Sequence, residues 1–185
     1  VGLDFDLKDY GILDYEILHN NDMSEQMRDK KLIEEITRTA DYSVLPTSIA
    51  TIYSNIDPSC CRPGKSVIST SFIASYDAFT KTLEKGGRRG SEYHELKDRI
   101  EEQLIEHMSR ATGIADLTEH IEVIETATPL TFKRYTDNSF GSFMGWMATP
   151  SQGAFSSFSS RTPISNLFLC GQWLGIGGVQ SVMVS

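Results

Sequence analysis

The chain has 185 residues and a formal net charge of −8, with 23% charged and 39% hydrophobic side chains, the balance of a soluble globular protein with ample core. That acidity, with no face concentrating Lys and Arg, excludes a nucleic-acid partner; the short basic loop Lys85-Gly-Gly-Arg88-Arg89-Gly90 reads as a solvated turn. The three cysteines Cys60, Cys61 and Cys170 are too few and too poorly spaced for a disulfide frame or a zinc site. Adjacent Cys60 and Cys61 read as reduced thiols in a turn and, with no signal peptide, predict a cytoplasmic setting.

Val1 to Leu7 alternates apolar and polar side chains, which predicts a half-buried strand, with Tyr15 to His19 as its antiparallel partner. Asp22 and Glu25 form a capping-box pattern for a helix from Met23 to about Arg38, with Met23, Met27 and Ile36 near one face. Ser48 to Ser54 and Ser66 to Ile73 are rich in β-branched and aromatic residues. Asp57-Pro58 and Pro63-Gly64 break the chain between them, so a long-looped hairpin is expected. From Ser91, the residues Tyr93, Leu96, Ile100, Leu104, Met108 and Ala111 recur every three or four positions as in an amphipathic helix, and Gly113 supplies its stop. Ile121 to Thr126 reads as another short strand. Strands with few, non-alternating helices predict an α+β region built on an antiparallel sheet.

Beyond Pro129 the character changes. Arg161 is the single charged residue after Asp137, and Phe132, Tyr135, Phe140, Phe143, Trp146, Phe155 and Phe158 are scattered among Gly, Ser and Thr without period. Such a stretch suits either an apolar cavity wall or a loop-rich core packed by its rings. Ser151 to Ser160 has the composition of a linker. The uncharged residues 162–185, with Gly171 and Gly175 at GxxxG spacing, are too interrupted by Gly, Gln, Asn and Ser to read as a membrane span.

Asn166-Leu-Phe-Leu-Cys170-Gly171 reads as a short buried parallel strand, followed by a glycine-rich turn and, from Val179, the opening of a buried helix. Strand, glycine turn and helix start bring unpaired backbone N–H groups against a phosphate or other electron-rich ligand atom.

Two ordered motifs then carry a resemblance. Thr162-Pro163-Ile164, Asn166 to Trp173 and Gly177-Gly178-Val179 resemble the C-terminal flavin signature of the carotenoid and retinoid FAD oxidoreductases, which include phytoene desaturases, carotenoid isomerases and retinol saturases. Upstream, Ala127 to Asn138 with Gly141, Gly145 and Trp146 resembles the segment that precedes that signature. Together they cover about residues 116–185. The turn has Ile176-Gly177-Gly178 where the family has Pro-Gly-Gly-Gly, and Gln172 stands where many members carry an acidic residue.

The resemblance implies an FAD-dependent oxidoreductase acting on an apolar polyene or isoprenoid, by desaturation, saturation or isomerisation. It implies FAD contacts from Gly171, Gln172, Gly177, Gly178, Val179 and Gln180, and a substrate wall of Tyr135, Phe143, Trp146 and Trp173. The family's Gly-x-Gly-x-x-Gly for the ADP half of FAD does not occur, so the chain is expected to be the C-terminal portion of a longer polypeptide, inactive alone. The expected fold is mixed: residues 1–128 form an antiparallel-sheet substrate region with helices, 129–160 an aromatic connecting segment, and 161–185 the strand, glycine turn and helix of a Rossmann-like FAD-binding domain. Peripheral membrane contact to collect substrate is left open, though no amphipathic basic helix demands it.

Other chemistry is thin. In Gly141-Ser-Phe-Met-Gly145 the serine stands one place too early for a hydrolase elbow, and Glu101-Glu102 reads as a solvated helix face. His19, His94, His107 and His120 read as surface or capping residues. The absence of an acid, base or nucleophile suits a flavin enzyme, in which the cofactor carries the chemistry. Two alternatives remain: a non-catalytic carrier of apolar ligands that has lost its cofactor, or an amine or amino-acid oxidase of the wider flavin superfamily.

Overall fold

A computed structural model describes residues 1–20, 30–43, 47–143, 145, 160–171 and 173. Its contacts divide the chain into two compact units, Val1–Leu130 and Thr131–Ser185.

The first unit is built on five antiparallel strands: β1 (Gly2–Leu3), β2 (Glu16–Asn20), β3 (Thr47–Ile52), β4 (Ser66–Ser69) and β5 (Ile121–Val123), in the order β2-β3-β4-β1-β5. The expected hairpin is present, with Ile52 opposite Ile68 and Thr51 opposite Ser69, and β5 pairs with β1. The second expected pairing is not. The chain's first strand ends at Leu3, and β2 pairs with β3, Ile17 lying opposite Ala50. The cause is local. The Asp6 carboxylate accepts from the Lys8 N–H at 3.0 Å and starts a 3-10 turn over Leu7–Tyr10. Gly11, at φ 76°, ends that turn. The Leu7 N–H is spent on the Ser66 hydroxyl at 2.9 Å, outside any ladder. Both edges of β1 are occupied, Gly2 standing opposite Val67 on one side and Val123 on the other.

The helices are α1 (Lys30–Thr39), a single turn α2 (Tyr53–Ile56), α3 (Tyr76–Thr80), α4 (Ser91–Thr112) and α5 (Pro129–Thr136), the last crossing between the two units. Only the C-terminal part of the expected Met23 helix falls within the described residues. The helix α4 matches its periodicity and stops where expected. Gly113, at φ 74°, donates its N–H to the Ser109 carbonyl, a left-handed cap that a side chain would strain.

Two cores meet along α4. Its C-terminal half brings Ile105, Met108 and Ala111 to a cluster with Leu3, Leu7, Ala50, Ile52, Ile68, Ile114 and Leu117 from the sheet and its connections. Its N-terminal half brings Tyr93 and Ile100 to Ile36, Ala40, Tyr42, Phe79 and Leu130. One helix therefore ties sheet and flanking helices into one unit, and most of the stabilisation comes from that apolar burial, about 25 cal/mol per Å² removed from water. The basic loop is a turn, with Leu83 bridged to Arg89, Arg88 paired to Glu84 at 2.9 Å and the Arg89 guanidinium 5.0 Å from the Tyr93 ring centre. No helix among the described residues is long and apolar enough to cross a membrane.

Candidate functional site

The family-like upstream motif begins where the first unit ends. Thr128 is buried, and its hydroxyl shares a 2.9 Å hydrogen bond with the Tyr93 phenol of α4. Pro129 then opens α5, where its missing N–H costs nothing. Leu130 reaches into the second core cluster. Thr128 and Leu130 thus fix the start of the motif on a rigid base.

Within the second unit the aromatic residues are placed as follows. Phe132 and Phe143 pack edge to face with ring centres 5.2 Å apart. Tyr135 is 77% exposed and lies by its neighbour Arg134, whose guanidinium is 5.6 Å from the ring centre. Lys133 pairs with Asp137 at 2.6 Å, and that hydrogen bond and charge hold the Asp137 carboxyl below the usual carboxylate range. The chain turns back through left-handed Asp137, Phe140 and Gly141, and the Asn138 amide donates to the Ser142 carbonyl at 2.9 Å. Phe143 belongs to this turn and is mostly exposed, whereas Trp173 is half-buried. Among the residues expected to form a substrate wall, Phe143 therefore has a ring partner and Tyr135 a cation; Trp146 lies outside the described residues.

The signature segment is shaped by turn chemistry. The Thr162 hydroxyl accepts from the Ile164 N–H at 3.1 Å and donates to the Leu167 carbonyl at 2.9 Å. Asn166, at φ 63°, takes the left-handed position that Asn tolerates better than most residues. Leu169 N–H donates to Ser160 carbonyl at 2.8 Å, and Arg161 bridges antiparallel to Phe168. This corrects the expectation of a buried parallel strand over residues 166–171. Ile164, Leu167, Phe168, Leu169 and Cys170 are exposed, and the segment folds back on Arg161. The Thr-Pro-x-Ser-Asn order was the signal available for that reversal.

Gly171 follows at φ 112°, a backbone that side chains avoid, and no described atom lies within 4 Å of where its Cβ would stand. Gln172, Gly177, Gly178, Val179 and Gln180, the other expected FAD contacts, lie outside the described residues.

In the first unit the structure adds a polar cluster missed by periodicity. His107 is fully buried, not a surface residue. Its Nε2 lies 2.8 Å from the Tyr42 carbonyl oxygen, which can only accept, so Nε2 carries the proton, while one Arg110 guanidinium nitrogen stands 3.0 Å from Nδ1 and 3.1 Å from Nε2. The Phe72 ring lies between them, its centre 5.5 Å from that of Tyr42 and 4.9 Å from that of His107. Burial, seconded by the Arg110 charge, holds the imidazole below its ordinary pKa, against the opposing pull of the Tyr42 hydrogen bond and Glu106. Burial also raises the Tyr42 phenol. An apolar position on α4 and a polar one look alike in spacing. His107 sits one place before the core residue Met108, where spacing alone does not mark it as buried.

His120 holds Asp4 at 2.9 Å on the surface, and Thr126 donates to Glu101, which is half-buried beside exposed Glu102. An open groove of about 490 Å³ is lined by Arg38, Lys81, Glu92, Glu95, Leu96 and Arg99, whose mixed charges do not suit an apolar ligand. Among the described residues no three His, Cys, Asp or Glu side chains group to hold a metal ion.

Comparison of the chain with known protein families and with curated proteins gives no match.

Proposed function

We propose that this chain is the substrate region and flavin-facing end of an FAD-dependent oxidoreductase acting on an apolar polyene or isoprenoid. The observation that carries this reading is Gly171. The turn built by Thr162 and Asn166 delivers, within a signature resembling the carotenoid and retinoid oxidoreductases, a glycine at φ 112° with no described atom within 4 Å of where its Cβ would stand. Lacking a Cβ, such a position suits close approach of a flat, electron-rich ring system.

Bound FAD would supply the hydride or electron chemistry. The chain's own part is binding and orientation. Gly171 and, beyond it, Gln172, Gly177, Gly178, Val179 and Gln180 would present backbone to the flavin. Phe143, Tyr135, Trp146 and Trp173 would present rings to the substrate, Tyr135 with the Arg134 guanidinium beside it. Since Gly-x-Gly-x-x-Gly does not occur in the 185 residues, the ADP half of the cofactor would be held by another part of a longer polypeptide.

The test is the visible spectrum of the protein purified from its complete reading frame without added cofactor. An oxidised-flavin spectrum that reductant bleaches is expected, and a folded Gly178→Leu variant should lose it. A colourless, folded protein that stays so after incubation with FAD would sink the oxidoreductase and favour a carrier of apolar ligands.

A further inference from the structure

The turn between β3 and β4 carries chemistry that the flavin reading does not use. Asp57 caps a 3-10 turn over Pro58–Cys60, its carboxylate accepting from the Ser59 N–H at 2.9 Å. Cys61 leaves that turn in extended backbone, and Lys65 N–H closes a second reversal onto the Arg62 carbonyl at 3.1 Å, through Gly64 at φ 76°. The Cys61 thiol points back into this loop and donates to the Lys65 carbonyl at 3.1 Å, while the neighbouring Cys60 is exposed. Two free thiols thus stand on successive residues of one turn, one open to solvent and one half-covered.

We propose that Cys60 and Cys61 form a vicinal dithiol site for a thiophilic metalloid centre with two open valences, such as a monosubstituted trivalent arsenical. The spacing selects that occupant over a disulfide. Successive Cα atoms across a trans peptide stand about 3.8 Å apart, whereas a disulfide wants at least about 4.4 Å, so a direct S–S bond would be strained and easily reduced. An inserted atom widens the sulfur–sulfur span and relieves that demand. The reaction balances without redox change. An arsenic(III) oxide condenses with two thiols, two As–S bonds form, and the oxide oxygen leaves as water with both thiol protons. Exposed Cys60 makes the first bond. The Cys61 proton is held more tightly than usual, first by burial and then by Cys60 and Asp6, with Lys8 opposing. It passes to the departing oxygen as the second bond closes. Cys170, exposed and without a neighbouring cysteine, can make only one such bond.

The probe is phenylarsine oxide, applied to the full chain with excess monothiol and read by intact mass. One adduct per chain is expected, stable to the monothiol and removed by 2,3-dimercaptopropanol. Cys60→Ser and Cys61→Ser should each lower its retention about 100-fold, the usual loss when a two-point attachment becomes one-point. Cys170→Ser should retain it. Cys60→Ala and Cys61→Ala, checked for native circular dichroism, separate loss of the sulfur from any disturbance of the turn. An adduct that survives either Cys60 or Cys61 variant, or that disappears with Cys170→Ser, overturns the assignment. So does no adduct on a chain whose Cys60 is open to iodoacetamide.

Discussion

The two units of this chain differ in whether they bury an apolar core. Val1–Leu130 keeps Leu7, Ile52, Ile68 and Leu117 at 0% exposure, although Leu13 and Ile73 on its surface stand at 71% and 83%. In the described part of Thr131–Ser185 no large apolar side chain is buried, and Tyr135 stands at 77% and Phe168 at 64%. The first unit has a ladder and a 22-residue helix whose repeating faces find each other. The second has short turns held by hydroxyls, an asparagine and glycine, which fix a backbone without creating a face to bury.

The sharpest way to break this contrast is to cut an apolar side chain from each unit. Ile68→Ala, at the junction of β4 with β1 and β3, should cost about 2–5 kcal/mol by urea unfolding, the usual range for a buried aliphatic reduced to alanine. A cost below about 1 kcal/mol would mean that the sheet core is looser than its burial implies.

A second cut tests how firmly the first unit holds its own C-terminal end at Thr128. Thr128→Val keeps the shape but removes the partner of the buried Tyr93 hydroxyl, and should cost about 1–3 kcal/mol. Tyr93→Phe, Thr128→Val together should recover part of that loss, because no buried hydroxyl is then left unpaired. If the double variant is no better than the single, the bond is not what holds Thr128.

Next in size is an effect of pH confined to the first unit. Folded His107 is held neutral below the ordinary imidazole pKa of about 6.5, so below that pH the unfolded chain binds the proton more readily. Stability contributed by neutral His107 is therefore present at pH 7, declines as pH falls through about 6.5, and stops declining below the folded-state value. Unfolding midpoints measured from pH 7.5 to 5 should fall for the native chain and fall less for His107→Gln. An identical decline in both would assign the effect to other groups.

How far the sequence anticipated this follows the same division. The helix α4 and the β3–β4 hairpin were legible because period and β-branched runs are dictated by burial, which is where the unit is most ordinary. The β1–β2 pairing was misread because a three-residue turn signal at Asp6 outweighed the alternation around it. Buried His107 was invisible, since its partners Tyr42 and Arg110 are 65 and 3 residues away and only the fold brings the first of them near. In the signature segment the apolar run Leu167-Phe168-Leu169 suggested a core strand, while Thr162 and Asn166 were already encoding the reversal that exposes it. Local hydrogen-bonding residues won over hydrophobicity there because the described neighbourhood offers no second sheet to receive the run.

The smallest expected effect is the most telling about that segment. Phe168→Ser removes a ring that is already in water, so unfolding of this chain should change by no more than about 0.5 kcal/mol, as for other exposed sites. The hydroxyl network of Thr162 does not involve the Phe168 side chain, so the reversal should persist. In the complete flavoprotein proposed above, the same substitution should instead lower stability or flavin retention, because the exposed ring would there be covered. A small effect in the chain and a large one in the complete protein would mark residues 164–169 as a surface made for burial by something else. Small effects in both would leave the ring as ordinary exposed surface, and would leave the proposed flavin contact to the backbone of Gly171 and the glycine turn after it.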